Sequence, residues 1–274
     1  MYNLLILSFL NSLQLIRCRF LEKRKTGGKR NLDYHVNIYW DKGKVRKINQ
    51  DSIIVLKALT CRGRVFMAAV CDGMGGMDWG EGASGYVVEE LVTWFYDDLI
   101  SAIGKKKPLW VIRRSLERKV YQMQGRIKFY AQKHNVAMGT TMSVLVLWEK
   151  RYLLWHLGDS RIYQLRRKKI GKRTRIKQLT KDHVQEENKL TRCVGSFGFF
   201  VPDFKMGIAH KREAFLLCSD GFFRRLQEAE IWEVLQNSRM ETENGDRRLK
   251  ELAEAALRRG EKDNLSAVYI STMK

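Results

Sequence analysis

Apolar residues fall along the chain in two rhythms. Ser52–Leu59 and Val65–Cys71 are short runs dense in apolar and β-branched residues, separated by Thr60–Arg64 with its Gly63. They predict a β-hairpin. Beyond the glycine-rich Gly73–Gly82, the residues Ala83, Val87, Leu91, Trp94, Phe95, Leu99 and Ile103 recur at helical spacing, and Gly104 ends the run. One long helix with an apolar stripe is expected there. A second helix opens after Pro108, with Leu109, Ile112, Leu116, Val120, Met123, Ile127 and Tyr130 on one face. The period then shortens. Met142–Trp148, Tyr152–Leu157, Arg161–Arg166 and Arg175–Leu179 predict four strands in series. Ala214–Cys218 and Ser266–Ile270 predict two more, with helices near Glu228–Gln236 and Arg247–Arg259 between them.

Helices and strands are therefore grouped rather than alternating. That order argues for an α+β fold of antiparallel sheets with packed helices, and against a doubly wound parallel sheet. The turn Asp72-Gly-Met-Gly-Gly76 lacks the G-x-G-x-x-G spacing, and no G-x-x-x-x-G-K-[ST] occurs. A dinucleotide fingerprint and a P-loop are both excluded.

Composition narrows the picture. The 274 residues are 45% hydrophobic and 30% charged, with only two prolines, so the chain can bury a sizeable core and is not collagen-like, disordered or coiled-coil. A formal net charge of +21 predicts attraction to phosphate, acidic protein or anionic membrane. The five cysteines (Cys18, Cys61, Cys71, Cys193, Cys218) include no C-x-x-C. Neither a zinc site nor a disulfide framework fits, and reduced thiols with a cytoplasmic address are expected.

Tyr2–Ile16 is apolar but interrupted by Asn3, Ser8, Asn11, Ser12 and Gln14. It is shorter than the ~20 residues of a spanning helix, and it lacks the basic leader of a secretory signal. A basic stretch from Arg17 to Arg30 follows. Residues 1–30 are read as a basic and apolar N-terminal extension, either disordered and idle or a weak membrane anchor, and residues 31–274 as one domain.

The candidate chemistry lies in aspartates at strand ends. Asp72 follows Val65–Cys71, Asp159 follows Tyr152–Leu157, Asp220 follows Ala214–Cys218, Asp263 precedes the last strand, and Asp51 opens the first. Carboxylates converging at a sheet edge repel one another and raise each other's pKa unless a cation neutralises them. Oxygen donors without Cys or His suit hard ions such as Mg²⁺ or Mn²⁺. Singly, each aspartate also fits a turn cap.

Taken in order, these motifs resemble a known family. Arg46-x-x-Asn49-Gln-Asp51, Asp72-Gly-Met-Gly-Gly76, Gly80-Glu-Gly-Ala-Ser84, Gly139-Thr-Thr141, Gly158-Asp-Ser-Arg161, Leu179-Thr-Lys-Asp-His183, Ser219-Asp-Gly221 and Asp263-Asn264 succeed one another. The set is similar to the metal-dependent serine/threonine protein phosphatases of type 2C (the PPM family) in their compact bacterial form, over about Asn31 to Thr272. The resemblance implies a four-layer α-β-β-α sandwich, two antiparallel sheets flanked by helix pairs, with the metal site at one edge. It also implies two Mn²⁺ or Mg²⁺ ions that activate a shared water for phosphoester hydrolysis. Carried over motif by motif, Asp72 bridges the ions and the Gly73 carbonyl completes one shell. Asp220 and Asp263 hold the other ion, Asp51 acts through bound water, and Asp159 with Asp220 forms a third, weaker metal site. Asn264 supports Asp263, and Arg46 clamps the substrate phosphate. The implied substrates are phosphorylated proteins, with a Ser/Thr kinase as opposing partner and a monomeric enzyme; an anti-sigma-antagonist phosphoprotein is an alternative substrate.

The chain departs from the family at Gln50, where many relatives carry Glu, and at Met74, where animal members often have a histidine acid. The short segment Val184–Val194 replaces a longer flap and implies an open site. His183 is read as fixing its loop. The basic run from Arg166 to Lys177 is read as a hairpin, either a solvated ribbon or a docking surface for acidic partners. The rival from another class is a non-catalytic basic binding module on the same fold, holding phosphoprotein, nucleic acid or anionic lipid. No nucleic acid is expected, because the densest basic cluster lacks interleaved aromatics.

Overall fold

The computed structural model describes residues 34–74, 79–166, 175–185, 189–195, 198–211, 213–236 and 242–272. The N-terminal extension and the tip of the basic hairpin lie outside them. In chain order the elements are β1 (Tyr34–Asp41), β2 (Asp51–Thr60), β3 (Gly63–Met74), α1 (Gly80–Thr93), a π-helical segment (Trp94–Leu99), α2 (Ile100–Gly104) and α3 (Leu109–His134). Then follow β4 (Gly139–Thr140), β5 (Met142–Trp148), β6 (Arg151–Leu157), β7 (Arg161–Arg166), β8 (Arg175–Gln178) and β9 (Asp203–Ile208). The chain closes with β10 (Glu213–Cys218), α4 (Asp220–Phe223), α5 (Glu228–Gln236), α6 (Thr242–Arg258) and β11 (Leu265–Thr272).

The strands form two antiparallel sheets, ordered β1-β11-β10-β7-β8 and β2-β3-β5-β6-β9, with β4 pairing β3 off the second. Three apolar layers hold the stack together. Along β3, Val65, Met67, Ala69 and Cys71 face α1 and α3, while Phe66, Ala68 and Val70 face the other sheet. A strand buried on both faces reads as an unbroken apolar run, which is how β3 and β5 appear in sequence. Beyond the first sheet, Tyr163, Leu216 and Tyr269 meet Phe222, Trp232 and Leu252 of α4, α5 and α6. The result is the expected α-β-β-α sandwich. No helix among the described residues is long and apolar enough to cross a membrane.

Three features depart from the sequence reading. Strand β1 was not anticipated, although Tyr34, Val36, Ile38 and Trp40 alternate; it pairs with β11 from Tyr34↔Thr272 to Asp41↔Leu265. Strand β9 is an exposed edge and its apolar pattern is short. The long helix expected over 83–103 contains a π segment at Trp94–Leu99. The wider turn lets the adjacent Trp94 and Phe95 both bury completely. Trp94 stands edge-on to Trp155 at 5.7 Å and donates its Nε1–H to Ser115 Oγ at 2.8 Å.

Helix α3 starts at Pro108 and ends at Asn135, whose left-handed φ of 51° closes it. Its inner face buries Ile112, Leu116, Val120, Met123 and Ile127 against β3, β5 and β6. Each such side chain contributes roughly 1.5–3 kcal/mol. Leu116→Ala is expected to destabilise the protein by ~2–5 kcal/mol. Chemical denaturation would read this as a lower midpoint, and an unchanged midpoint would mean α3 does not pack as described.

A stacked histidine pair braces the end of β6. His156 and His183 lie 5.0 Å apart, centroid to centroid. His156 accepts from Ser143 Oγ at 2.9 Å through Nδ1 and donates through Nε2 to the Lys181 carbonyl at 3.1 Å. His183 accepts the Gly158 N–H through Nδ1 at 3.1 Å and donates to Asp203 at 3.2 Å. His183 thus fixes its loop, and with it the Gly158-Asp159 turn. Burial, then the neighbouring His183, pulls the His156 pKa down to about 4. The folded state therefore binds fewer protons than the unfolded chain between about pH 4 and the ordinary value of 6.5. Stability is full above 6.5 and is lost as pH falls through this window, by at most ~3.5 kcal/mol from this group at ~1.4 kcal/mol per unit. His156→Gln is expected to flatten the melting temperature between pH 4 and 6.5; an identical slope in both proteins would assign the loss elsewhere.

Candidate metal centre

The carboxylates are positioned by backbone, not by their own side chains. In the β2–β3 ladder Asp51 stands directly opposite Asp72. The Asp72 backbone is clamped by the Gly139-Thr-Thr141 motif. Its N–H donates to Thr141 Oγ1 at 2.8 Å, and its carbonyl accepts from Thr141 N at 2.9 Å and Thr140 Oγ1 at 3.0 Å. Asp159 sits in the turn from β6 to β7, at a glycine with φ +116°. Asp220 opens α4 as β10 ends, and Asp263 precedes β11. Ser219 and Ser266 exchange backbone and hydroxyl bonds at 3.0 Å between these two elements. All five aspartates therefore collect at one end of the sandwich.

Asn264 locks the two sheets together at this end. Its Oδ1 accepts the Gln50 N–H at 2.9 Å, and its Nδ2 donates to the carbonyls of Lys42 and Ile48 at 2.9 and 3.0 Å. Asn264 also supports Asp263, as its backbone N–H donates to Asp263 Oδ1 at 2.9 Å, while its side chain holds the loop carrying Arg46. The Gln50 carbonyl accepts from Gly73 N at 3.1 Å and Ser84 Oγ at 2.6 Å. The close approach explains the glycines. A Cβ at Gly73 would lie 2.2 Å from the Gly80 carbonyl oxygen, and one at Gly221 2.2 Å from that of Asn264.

Electrostatics marks the site as charged beyond what the protein neutralises. Burial drives the Asp51 carboxyl up to about 6, and Asp263 pushes the same way, against partial relief from Ser266 and Ser219. Asp72 is driven well above the ordinary range by burial and by the charges of Asp51, Asp159 and Asp263; Arg224 draws it back. Burial also raises Asp159. Oδ2 of Asp51 and Oδ1 of Asp220 are buried without a hydrogen-bond partner. Such orphaned acceptors cost free energy unless a cation meets them. Arg46 Nη2 lies 3.0 Å from Asp263 Oδ2, and Arg224 Nη2 is bonded to Asp220 Oδ2. Two arginines thus hold two of the five carboxylates. Among the described residues no three His, Cys, Asp or Glu side chains close on one point as a finished cage. The all-oxygen donor set and the orphaned oxygens nonetheless fit a hard divalent ion.

Two clefts flank the cluster. One, of about 170 Å³, is lined by Asp159, Arg161, Asp182, Asp220, Phe223 and Arg224 among others. The other, of about 440 Å³, is lined by Arg46, Arg224, Arg225, Lys262 and Asp263 among others. Within the first, Arg161 is engaged by Asp182 through contacts of 2.7–3.1 Å and lies over the Phe223 ring at 3.9 Å. Arg161 and Asp182 therefore serve structure. Arg224 was missed from sequence; the one available signal was its place four residues after Asp220.

The short segment expected in place of a flap is tied down where it is described. Thr140 and Val194 exchange backbone bonds of 2.9 Å, and Arg192 reaches Asp203 and the Val201 carbonyl.

Comparisons with known proteins agree with this geometry. The Protein phosphatase 2C family model matches residues 44–257. The serine/threonine phosphatase stp of Listeria innocua is 26% identical over 233 residues, covering 77% of this chain and 87% of its own. The S. agalactiae serine/threonine phosphatase superposes with a TM-score of 0.73 at 23% identity, over 88% of this chain and 100% of its own. The catalytic domain of the protein phosphatase PstP, solved with two manganese ions, gives 0.66 at 26% identity, over 89% and 100%. The match spans most of the domain, from the Arg46 loop through Asp220 to α6, and the chain belongs to the protein phosphatase 2C family.

Proposed function

We propose that this chain hydrolyses phosphoserine and phosphothreonine on proteins, using two Mn²⁺ or Mg²⁺ ions and opposing a Ser/Thr kinase. The observation that carries the proposal is the pair of buried, partnerless oxygens on Asp51 and Asp220, at the edge where Asp72, Asp159 and Asp263 also gather. Asp72 and the Gly73 carbonyl would hold one ion, Asp72, Asp220 and Asp263 the other, with Asp51 acting through water. When bound, the ions supply a nucleophilic water and neutralise phosphoryl charge. The catalytic unit is the domain at residues 31–274, acting as a cytoplasmic monomer.

The protein's own groups do the positioning. Arg46 reaches the cluster from the β1–β2 loop with half its side chain exposed, so its planar fork can donate to two phosphate oxygens. Met74 ends β3 and is exposed, and it offers no proton to a leaving alkoxide. The two histidines nearest the β6 end are bonded within the fold. Leaving-group protonation therefore falls to solvent.

One observation favours the rival binding module. The outer face of α3 carries Trp110, Tyr121 and Phe129, each at least 60% exposed, beside the exposed Arg114 and Arg118. Basic and aromatic residues are thus interleaved there, on a face apart from the dense basic run. Such a face suits a polyanion, whose binding would fall steeply with salt.

Hydrolysis of p-nitrophenyl phosphate by the full chain is expected to require Mn²⁺ or Mg²⁺ and to stop with EDTA. Asp220→Asn should lower it at least ~100-fold, the upper range seen for residues that only support a metal ligand. Turnover that survives either treatment would remove the metal reading, and metal-independent, salt-sensitive polyanion binding alone would favour the rival. Across a series of aryl phosphates, rates should also fall as leaving-group pKa rises. A flat dependence would reveal a proton donor that the Met74 position does not supply.

A further inference from the structure

The cleft between Asp159 and Asp220 is where family resemblance places a third, weaker metal ion. We infer that in this chain the guanidinium of Arg224 is the resident cation of that cleft, so the centre loads two metal ions and no third. The inference rests on the binuclear reading proposed above and concerns what occupies the remaining pair of carboxylates.

Local geometry puts the arginine there. Asp220 opens the four-residue α4, and the Arg224 N–H donates to the Asp220 carbonyl at 2.8 Å. That bond closes one helical turn and sets the two side chains on the same face. Arg224 Nη2 then pairs with Asp220 Oδ2. The same side chain lines the 170 Å³ cleft together with Asp159. One guanidinium thus stands in the cleft with both aspartates of the pair.

No other described group in the cleft can take its place. Arg161 is bound through two nitrogens to Asp182 and stacked on Phe223. Asp182 is spent on Arg161 and Gln178. A third ion would therefore have only Asp159 and Asp220 as carboxylate ligands, facing a guanidinium already bonded to one of them. A guanidinium stays protonated in proteins, so neither pH nor a chelator removes its charge. Oδ1 of Asp220, the oxygen that Arg224 leaves without a partner, remains for one of the two ions.

The test is metal stoichiometry on the full chain, stripped with EDTA and titrated with Mn²⁺ in equilibrium dialysis. Wild type is expected to bind two equivalents and Arg224→Lys two. Arg224→Asp, which replaces the cation with a third carboxylate, is expected to bind three. Adding Asp159→Asn to Arg224→Asp should return the count to two and so locate the gained ion. In EDTA, Arg224→Ala should melt below wild type, because Asp220 loses its counter-ion. Three equivalents in wild type, or two in folded Arg224→Asp, would overturn the inference while leaving the binuclear reading intact. One or none in wild type would overturn both.

Discussion

Mutual repulsion among buried carboxylates is the constraint around which this protein is arranged. Asp51, Asp72, Asp159, Asp220 and Asp263 come from both sheets and from the connection between them. Left to flexible side chains, such a cluster would splay or protonate. Here strand register sets Asp51 opposite Asp72, and two threonines fix the backbone of Asp72. The electrostatic strain cannot relax by movement, so it appears as carboxyls raised above their ordinary range. A rigid frame that withholds relaxation is what makes a site receptive to external cations.

The frame depends on backbone approaching backbone. Gln50, Gly73, Gly80, Gly221 and Asn264 meet so closely that a methyl group at either Gly73 or Gly221 has no room. This accounts for Gln50. Its main-chain N–H and carbonyl bind Asn264, Gly73 and Ser84, and those bonds are the same whether the side chain is Gln or Glu. The departure from the family pattern removes a carboxylate from the rim and leaves the joint between the sheets untouched.

Period and order carried most of the fold into the sequence. Strands β5 and β7 and helix α5 fall where alternation and helical spacing placed them. Strand β1 alternates just as legibly, but its partner β11 lies more than 200 residues away, and pattern alone does not announce a closing edge. The π segment escaped because a six-residue widening changes which neighbours face inward without changing their hydrophobicity. In the site, the aspartates were visible as an ordered set. Arg224 and the joint made by the Asn264 side chain were not, because they depend on a single helical turn and on backbone brought together from distant segments. Motif reading stops at Asp220-Gly221, while the chemistry continues to Arg224.

The charge of the whole chain and the charge of the site have opposite signs, and distance reconciles them. A net +21 sets the field that an approaching polyanion meets several ångströms out. The carboxylates act within a few ångströms, and the Debye length of about 8–10 Å separates the two regimes. Between them stands the outer cleft, where Arg46, Arg224, Arg225 and Lys262 outnumber Asp263 and Glu261. An anionic group moving inward thus passes from a basic surface to a basic rim, and meets acid only at the floor. Cations held at that floor by the aspartates would convert the last step from repulsion to attraction. A basic rim thus faces an approaching phosphate ahead of the acidic floor, and a strongly basic chain can keep five aspartates at one end of its sandwich.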